Sequence, residues 1–187
     1  MMLRYCSRNL IISLSIITLS FILLLLNPKA VFSAPKKELE TKATFILNFT
    51  IFVEWPSSVS AGSNDITTLN ICVFGNTPLV QALNLQKEKY NASERVSIIA
   101  VDDTDKISNC HILFIGQANT ADISTMLAHL ENKPVLTISD QQSFNKNGGI
   151  IQFVIRDNMV RFKINNEAAK KAGLTISSQL LELADEK

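Results

Sequence analysis

Hydrophobic and polar positions alternate along the chain with a period that switches between helical and extended. From residue 38 to 55 the apolar positions Ala43, Phe45, Ile46, Phe49, Phe52 and Val53 recur every three or four residues, which predicts a helix with a broad apolar face. Pro56 closes it, because the residue before a proline is pushed out of the helical region. Residues 57–65 are polar and read as a loop. Residues 69–74 (LNICVF) then predict a strand ending at Gly75, followed by a helix to about residue 87, with Thr77 as its cap and Pro78 in its first turn. A second buried strand follows at 96–101, then the acidic turn 102–105, and a third strand at 111–115 that again ends in glycine, Gly116. Asn119 is placed to cap a helix running to about Leu130, and residues 134–138 predict a fourth strand.

After a loop at 139–149 the pattern changes. Residues 150–155 and 159–164 are two strands joined by the short polar turn Arg156-Asp157-Asn158, a hairpin signal. Asn165 begins a short helix that stops at Gly173. Ile176, Leu180, Leu181 and Leu183 close the chain as an apolar helical stripe. Short apolar strands alternating with helices predict a single Rossmann-like α/β domain. Its sheet would be mostly parallel, flanked by helices, with an antiparallel hairpin at one edge.

The first residues follow a different logic. Arg4 and Arg8 precede an uncharged apolar run at residues 10–26, which Asn27 and Pro28 interrupt. Ala30-Val31-Phe32-Ser33 then supplies small residues at the −3 and −1 positions of a cleavage site. This predicts an export signal at 1–33 and a single domain at 34–187. The alternative is an uncleaved inner-membrane anchor, since the run is near the lower length limit of a spanning helix. Either way the remainder is expected in the periplasm. No cysteine follows the run to accept a lipid.

Composition narrows the function. The chain has 187 residues with a formal charge of +1, 47% hydrophobic and 19% charged, which suits a globular domain and gives no basic excess for nucleic acid. Losing Arg4, Arg8 and Lys29 with the signal leaves the rest mildly acidic. The two histidines, His111 and His129, have no partner at metal-ligand spacing. Asp102, Asp103 and Asp105 lack the spacing of a calcium loop. No phosphate-binding glycine loop or nucleophile motif occurs, so no catalytic residue, metal or cofactor is assigned. Gly148 and Gly149 are read as a turn requirement. Asn76, Thr77, Asp102, Gln117 and Asp140 lie at predicted carboxyl ends of strands, where open α/β sheets bind ligands. They form a candidate small-ligand cleft, and equally could serve only to end strands and cap helices.

Several segments resemble the YfiR family. They are residues 42–56 (KATFILNFTIFVEWP), 148–153 (GGIIQF), 160–165 (VRFKIN), 168–174 (AAKKAGL) and 176–184 (ISSQLLELA), in the right order across nearly the whole exported part. The resemblance implies a non-enzymatic periplasmic repressor. Such a protein binds the sensor part of an inner-membrane diguanylate cyclase, lowers cyclic-di-GMP and restrains biofilm formation. It is relieved by an outer-membrane-associated partner or by redox stress. Family members can carry two further cysteines near the Gly-Gly turn, where this chain has Asn145 and Gln152. The rival reading is a periplasmic small-ligand sensor or solute-binding module using the strand-end cleft.

Two further expectations concern surfaces and cross-links. The helix at 38–55 is apolar on more than one side, so Phe45, Phe49, Ile51 and Trp55 are candidates for a partner interface or a homodimer seam; burial by the C-terminal stripe is the competing expectation. Cys72 and Cys110 are the only cysteines beyond the signal. They lie in or next to strands commonly adjacent in such sheets, and export favours a bond between them. Two packed thiols are the alternative. The resemblance implies a version in which the bond couples oxidation to partner release.

Overall fold

In the computed structural model the described residues are 33–56, 68–92 and 94–185. The expected signal segment up to residue 32, the anchor alternative and the whole 57–65 loop lie outside them, whereas Ser33 and Ala34, between which cleavage is expected, begin the first helix. The chain divides into two units, residues 1–37 and 38–187, and the second carries the fold.

The first helix, α1 (Ser33–Phe52), runs into a two-residue strand, β1 (Val53–Glu54). Then come β2 (Leu69–Phe74), α2 (Thr77–Lys89), β3 (Val96–Val101), a 3-10 helix (Thr104–Asn109), β4 (Ile112–Ile115), α3 (Thr120–His129) and β5 (Leu136–Ser139). The hairpin strands β6 (Ile151–Arg156) and β7 (Met159–Ile164) follow, then α4 (Asn166–Lys171), β8 (Thr175–Ile176) and α5 (Ser178–Glu182). A six-stranded sheet has the order β3-β2-β4-β5-β6-β7, parallel throughout except for the last, antiparallel pair. The mixed α/β class, the mostly parallel sheet and the hairpin edge are as the pattern predicts. Asp157 and Asn158 both have positive φ, 51° and 58°, the geometry of a two-residue hairpin turn that follows the strand twist.

Local details differ from the pattern, each for a physical reason. Asn76, not Thr77, caps α2: its side chain accepts the Leu79 N–H, which pushes Thr77 and Pro78 one position into the helix. The acidic turn is the start of the 3-10 helix, capped by Asp103. The strand at 96–101 is an edge strand, not a buried one, and Ile99 and Ala100 are exposed. The terminal stripe is split. Ile176 belongs to β8, which pairs antiparallel with β1, while Leu183 points to solvent past the end of α5.

The sheet buries both faces. Ile71, Val73, Ile112, Phe114, Leu136, Ile138 and Phe153 pack under α1 and α2. Leu113, Ile115, Ile123, Met126 and Phe144 fill the other face with α3. No helix links β5 to β6; residues 140–150 form turns instead. Phe144 from this segment is buried, and a Cβ on Gly149 would lie 2.1 Å from its ring, so glycine is needed for the close approach.

α1 covers the hairpin. Phe45 and Phe49 each meet the Phe162 ring edge-on with centroids 5.3 Å apart, and each lies 6.2 Å from Phe153. Phe49 is fully buried, whereas Ile51, two residues on, is 62% exposed. Truncating a buried phenylalanine removes its transfer free energy and leaves a cavity. Phe49→Ala is therefore expected to cost about 3–5 kcal/mol in urea unfolding. Ile51→Lys should stay within about 0.5 kcal/mol of the parent. Equal losses in the two variants would contradict this assignment of the helix faces.

Candidate functional site

The carboxyl ends of β2 and β4 are drawn together where the sheet order reverses. The Gly116 N–H donates to Phe74 O at 2.8 Å, and the Gln117 N–H to Gly75 O at 3.2 Å. Gly75 has φ +68°, and a side chain there would meet the Gln117 carbonyl at 2.7 Å. These contacts shape an open cleft of about 480 Å³, lined by Asn76, Thr77, Asp102 and Gln117 with Val80 and Val101. Four of the five cleft residues read from the sequence thus meet. Thr77, Asp102 and Gln117 are exposed, and the Asn76 side chain is already engaged in capping α2.

Asp140, the fifth, is elsewhere. Its Oδ2 accepts from Lys42 Nζ at 2.7 Å, and the same ammonium reaches Glu38 Oε1 at 2.6 Å. Lys42 is only 5% exposed. Burial works against its charge, but the hydrogen bonds to Asp140 and Glu38, with their negative charges, outweigh it and hold the pKa above the ordinary lysine value. Asp140 thus ties α1 to the end of β5. No sequence signal links residues 98 apart.

Beside Asp140, the strand-end residue Ser139 and the unassigned Gln141 make contacts that no local pattern signals. The Ser139 hydroxyl donates to Ile115 O at 2.7 Å, and Gln141 Nε2 donates to the carbonyls of Gly116 and Ala118. Together they anchor the segment that replaces a crossover helix. At Asn145 and Gln152, Gln152 Oε1 stands 3.5 Å from the Asn145 N–H, the outer limit of a hydrogen bond. Among the described residues no cluster of three or more His, Cys, Asp or Glu side chains could hold a metal.

Of the proposed interface residues, Phe45 and Phe49 serve the aromatic cluster over the hairpin. Ile51 is exposed. Trp55 is half-buried at the opposite end of the sheet from the cleft, where its Nε1–H donates to His111 O at 3.3 Å and its ring meets the imidazole edge-on.

Cys72 and Cys110 are bonded, with Cα atoms 5.8 Å apart. Cys72 sits in β2 and Cys110 just before the adjacent β4, and both are buried. The bond closes a loop of 38 residues, for which chain-entropy arguments give a contribution of up to about 4 kcal/mol. Protein prepared without reductant should show no free thiol in denaturant from this pair. The Cys72→Ala/Cys110→Ala double variant should unfold at lower urea, by up to that amount.

His111 follows the bonded cysteine. Its Nδ1 accepts the Asn70 N–H at 2.9 Å, a bond only the neutral ring can make at that nitrogen, and burial pushes its pKa below 6.5. Between the depressed native value and about 6.5 the unfolded chain binds a proton that the native ring refuses. Stability is therefore complete above about 6.5 and falls as the pH drops through that window. Thermal melts from pH 8 to 5 should show this decline, with a slope of at most one proton assignable to His111. His111→Asn should remove that share of the slope.

The geometry is that of an open α/β sheet with a shallow cleft at one end, a buried cross-link and a tryptophan-bearing helix exit at the other. No helix among the described residues is long and apolar enough to cross a membrane. A family model described as YfiR/HmsC-like matches residues 39–185, which takes in α1 beyond its first turns, the whole sheet and the C-terminal elements. The chain belongs to the YfiR/HmsC-like family.

Proposed function

We propose that this protein is a non-enzymatic periplasmic regulator that binds the sensor domain of an inner-membrane diguanylate cyclase and holds the enzyme inactive, lowering cyclic-di-GMP and biofilm formation. The observation that carries the reading is the family match across residues 39–185. An export signal at residues 1–33 would deliver the chain to the compartment where such a sensor domain lies, and where the Cys72–Cys110 bond persists. An outer-membrane-associated protein would relieve the inhibition.

Ile51 and Trp55 are the side chains at the exit of α1 that remain accessible for this contact. Ile51 is 62% exposed, and an isolated apolar residue of that kind is a suitable anchor when a partner buries it. Deleting the gene should raise cyclic-di-GMP and surface attachment in a strain with a working cognate cyclase; unchanged levels would reject the reading. Ile51→Lys should weaken repression while the purified protein melts normally.

A second reading, a small-ligand sensor, is favoured by the convergence of Asn76, Thr77, Asp102 and Gln117 on one cleft of 480 Å³. Cleft ligands would raise the melting temperature by binding the native state alone. Asp102→Ala should abolish that rise, whereas the regulator reading leaves repression intact in the same variant.

A further inference from the structure

The six-stranded sheet has two edges, and only one is protected. At the β7 edge the Asp185 N–H already occupies Phe162 O, and the strand carries the basic side chains Arg161 and Lys163. At the other edge β3 has neither device. Its six residues, VSIIAV, include no charge and no proline. Their register with β2 runs unbroken from Leu69 opposite Val96 to Phe74 opposite Val101, so no bulge interrupts it. Edge strands are ordinarily blunted by charges, prolines, bulges or a covering segment, because an open edge is a template for another strand.

The hydrogen bonds show which groups stand free. The Leu69 N–H donates to Arg95 O at 2.8 Å. In the parallel register this makes Arg95, Ser97, Ile99 and Val101 the residues whose main-chain groups turn to β2. Val96, Ile98 and Ala100 turn theirs outward. The Val96 N–H is taken by Ala92 O at 3.1 Å. Among the described residues nothing bonds the Val96 carbonyl or either main-chain group of Ile98 and Ala100. Ile99 and Ala100 are exposed, Ile99 by 36%.

The two ends of β3 carry opposite charges. Arg95 precedes the strand, is exposed, and has no carboxylate within ion-pair distance among the described residues. Asp102 and Asp103 follow it. Asp102 reaches Lys106 at 3.6 Å, whereas Asp103 has no such cation among the described residues. Asp103 is still extended, with φ −124° and ψ 134°, and the 3-10 helix begins only after it. A strand that is positive at its start and negative at its end is complementary to an antiparallel copy of itself.

We infer that β3 pairs antiparallel with β3 of a second copy of this chain, across a two-fold axis at Ile99, so that the two sheets become one. In this register Ile98 of each copy exchanges both main-chain bonds with Ala100 of the other. Ile99 meets Ile99 at the close, non-hydrogen-bonded position, and Arg95 stands opposite Asp103 on both sides of the axis. Moving the axis to Ile98 would bring Glu94 toward Asp102, a like-charge pair, so the charges select the register. Ala100 and Asp102 also line the strand-end cleft, which the second copy would therefore border. The contact does not use α1, whose Phe45 and Phe49 are engaged by the hairpin. It goes beyond the proposed function and does not depend on it.

Sedimentation velocity of the purified protein over a concentration series reads the monomer–dimer equilibrium. Arg95→Asp and Asp103→Arg each turn the attractive pair on both sides of the axis into a repulsive one, and the double variant restores attraction with the signs exchanged. Ala100→Pro removes an outward donor without taking a bond from the β2 ladder. Arg161→Glu, at the opposite edge, is the charge control. Thermal melts establish that each variant is folded, and the charge pair decides alone if Ala100→Pro is not. The expected result is a parent dimer that weakens about tenfold in each single reversal and in Ala100→Pro. The double reversal should return to within about threefold of the parent, and Arg161→Glu should match it. A parent that stays monomeric up to about 1 mM would overturn the inference. So would equal dimerisation by the parent and both single reversals, or a double variant no tighter than the singles. A dimer lost in Ile51→Lys but kept in Arg95→Asp lies on α1 and would overturn it as well.

Discussion

The four phenylalanine rings between α1 and the hairpin are the contact on which the architecture turns. The parallel part of the sheet closes itself in the usual way, each crossover helix covering the strands it links. Between β5 and β6 that device is missing, and the hairpin's inner face would lie open. Phe45 and Phe49 from α1 cover Phe153 and Phe162 instead. A helix from the start of the domain thus completes the core for strands near its end. The buried Lys42, held by Asp140 and Glu38, fixes where along the sheet that helix sits. β1 and β8 fasten its other end through Val53 and Ile176.

This closure separates the surfaces. The strand-end cleft belongs to the crossover half, built from β2, α2 and β4. Trp55 and Ile51 lie at the exit of α1, beside β8. The outer edge of β7 belongs to the hairpin.

Local signals made the strands legible. Residues 69–74, 96–101 and 159–164 were strands in pattern and are strands in structure, because apolar runs bounded by glycine or polar turns leave little freedom. The caps at Asn119 and Asn165 were legible for the same reason. The adjacency of Cys72 and Cys110 followed from the strand order such sheets prefer. What escaped was set by distant contacts. Phe45 and Phe49 form an apolar stripe in sequence, and nothing local says whether a hairpin or a partner will cover it. Asp140 looked like a strand-end ligand because its partner, Lys42, is far away in the chain. Asn76 and Thr77 are both good caps, and the tight approach of Gly75 to Gln117 accompanies the choice of the first.

The placement of the cross-link has a mechanical consequence. Force applied to the two ends of the domain cannot reach the chain between Cys72 and Cys110, which contains α2, β3 and the 3-10 helix. With the bond intact, that stretch of 38 residues stays hidden from extension. At about 3.4 Å per residue it would release roughly 120–130 Å once reduced. The hairpin and α1 lie outside the loop and bear the load in either state. Oxidation therefore sets how far the molecule can be drawn out between its two ends, while leaving the part that carries the load unchanged.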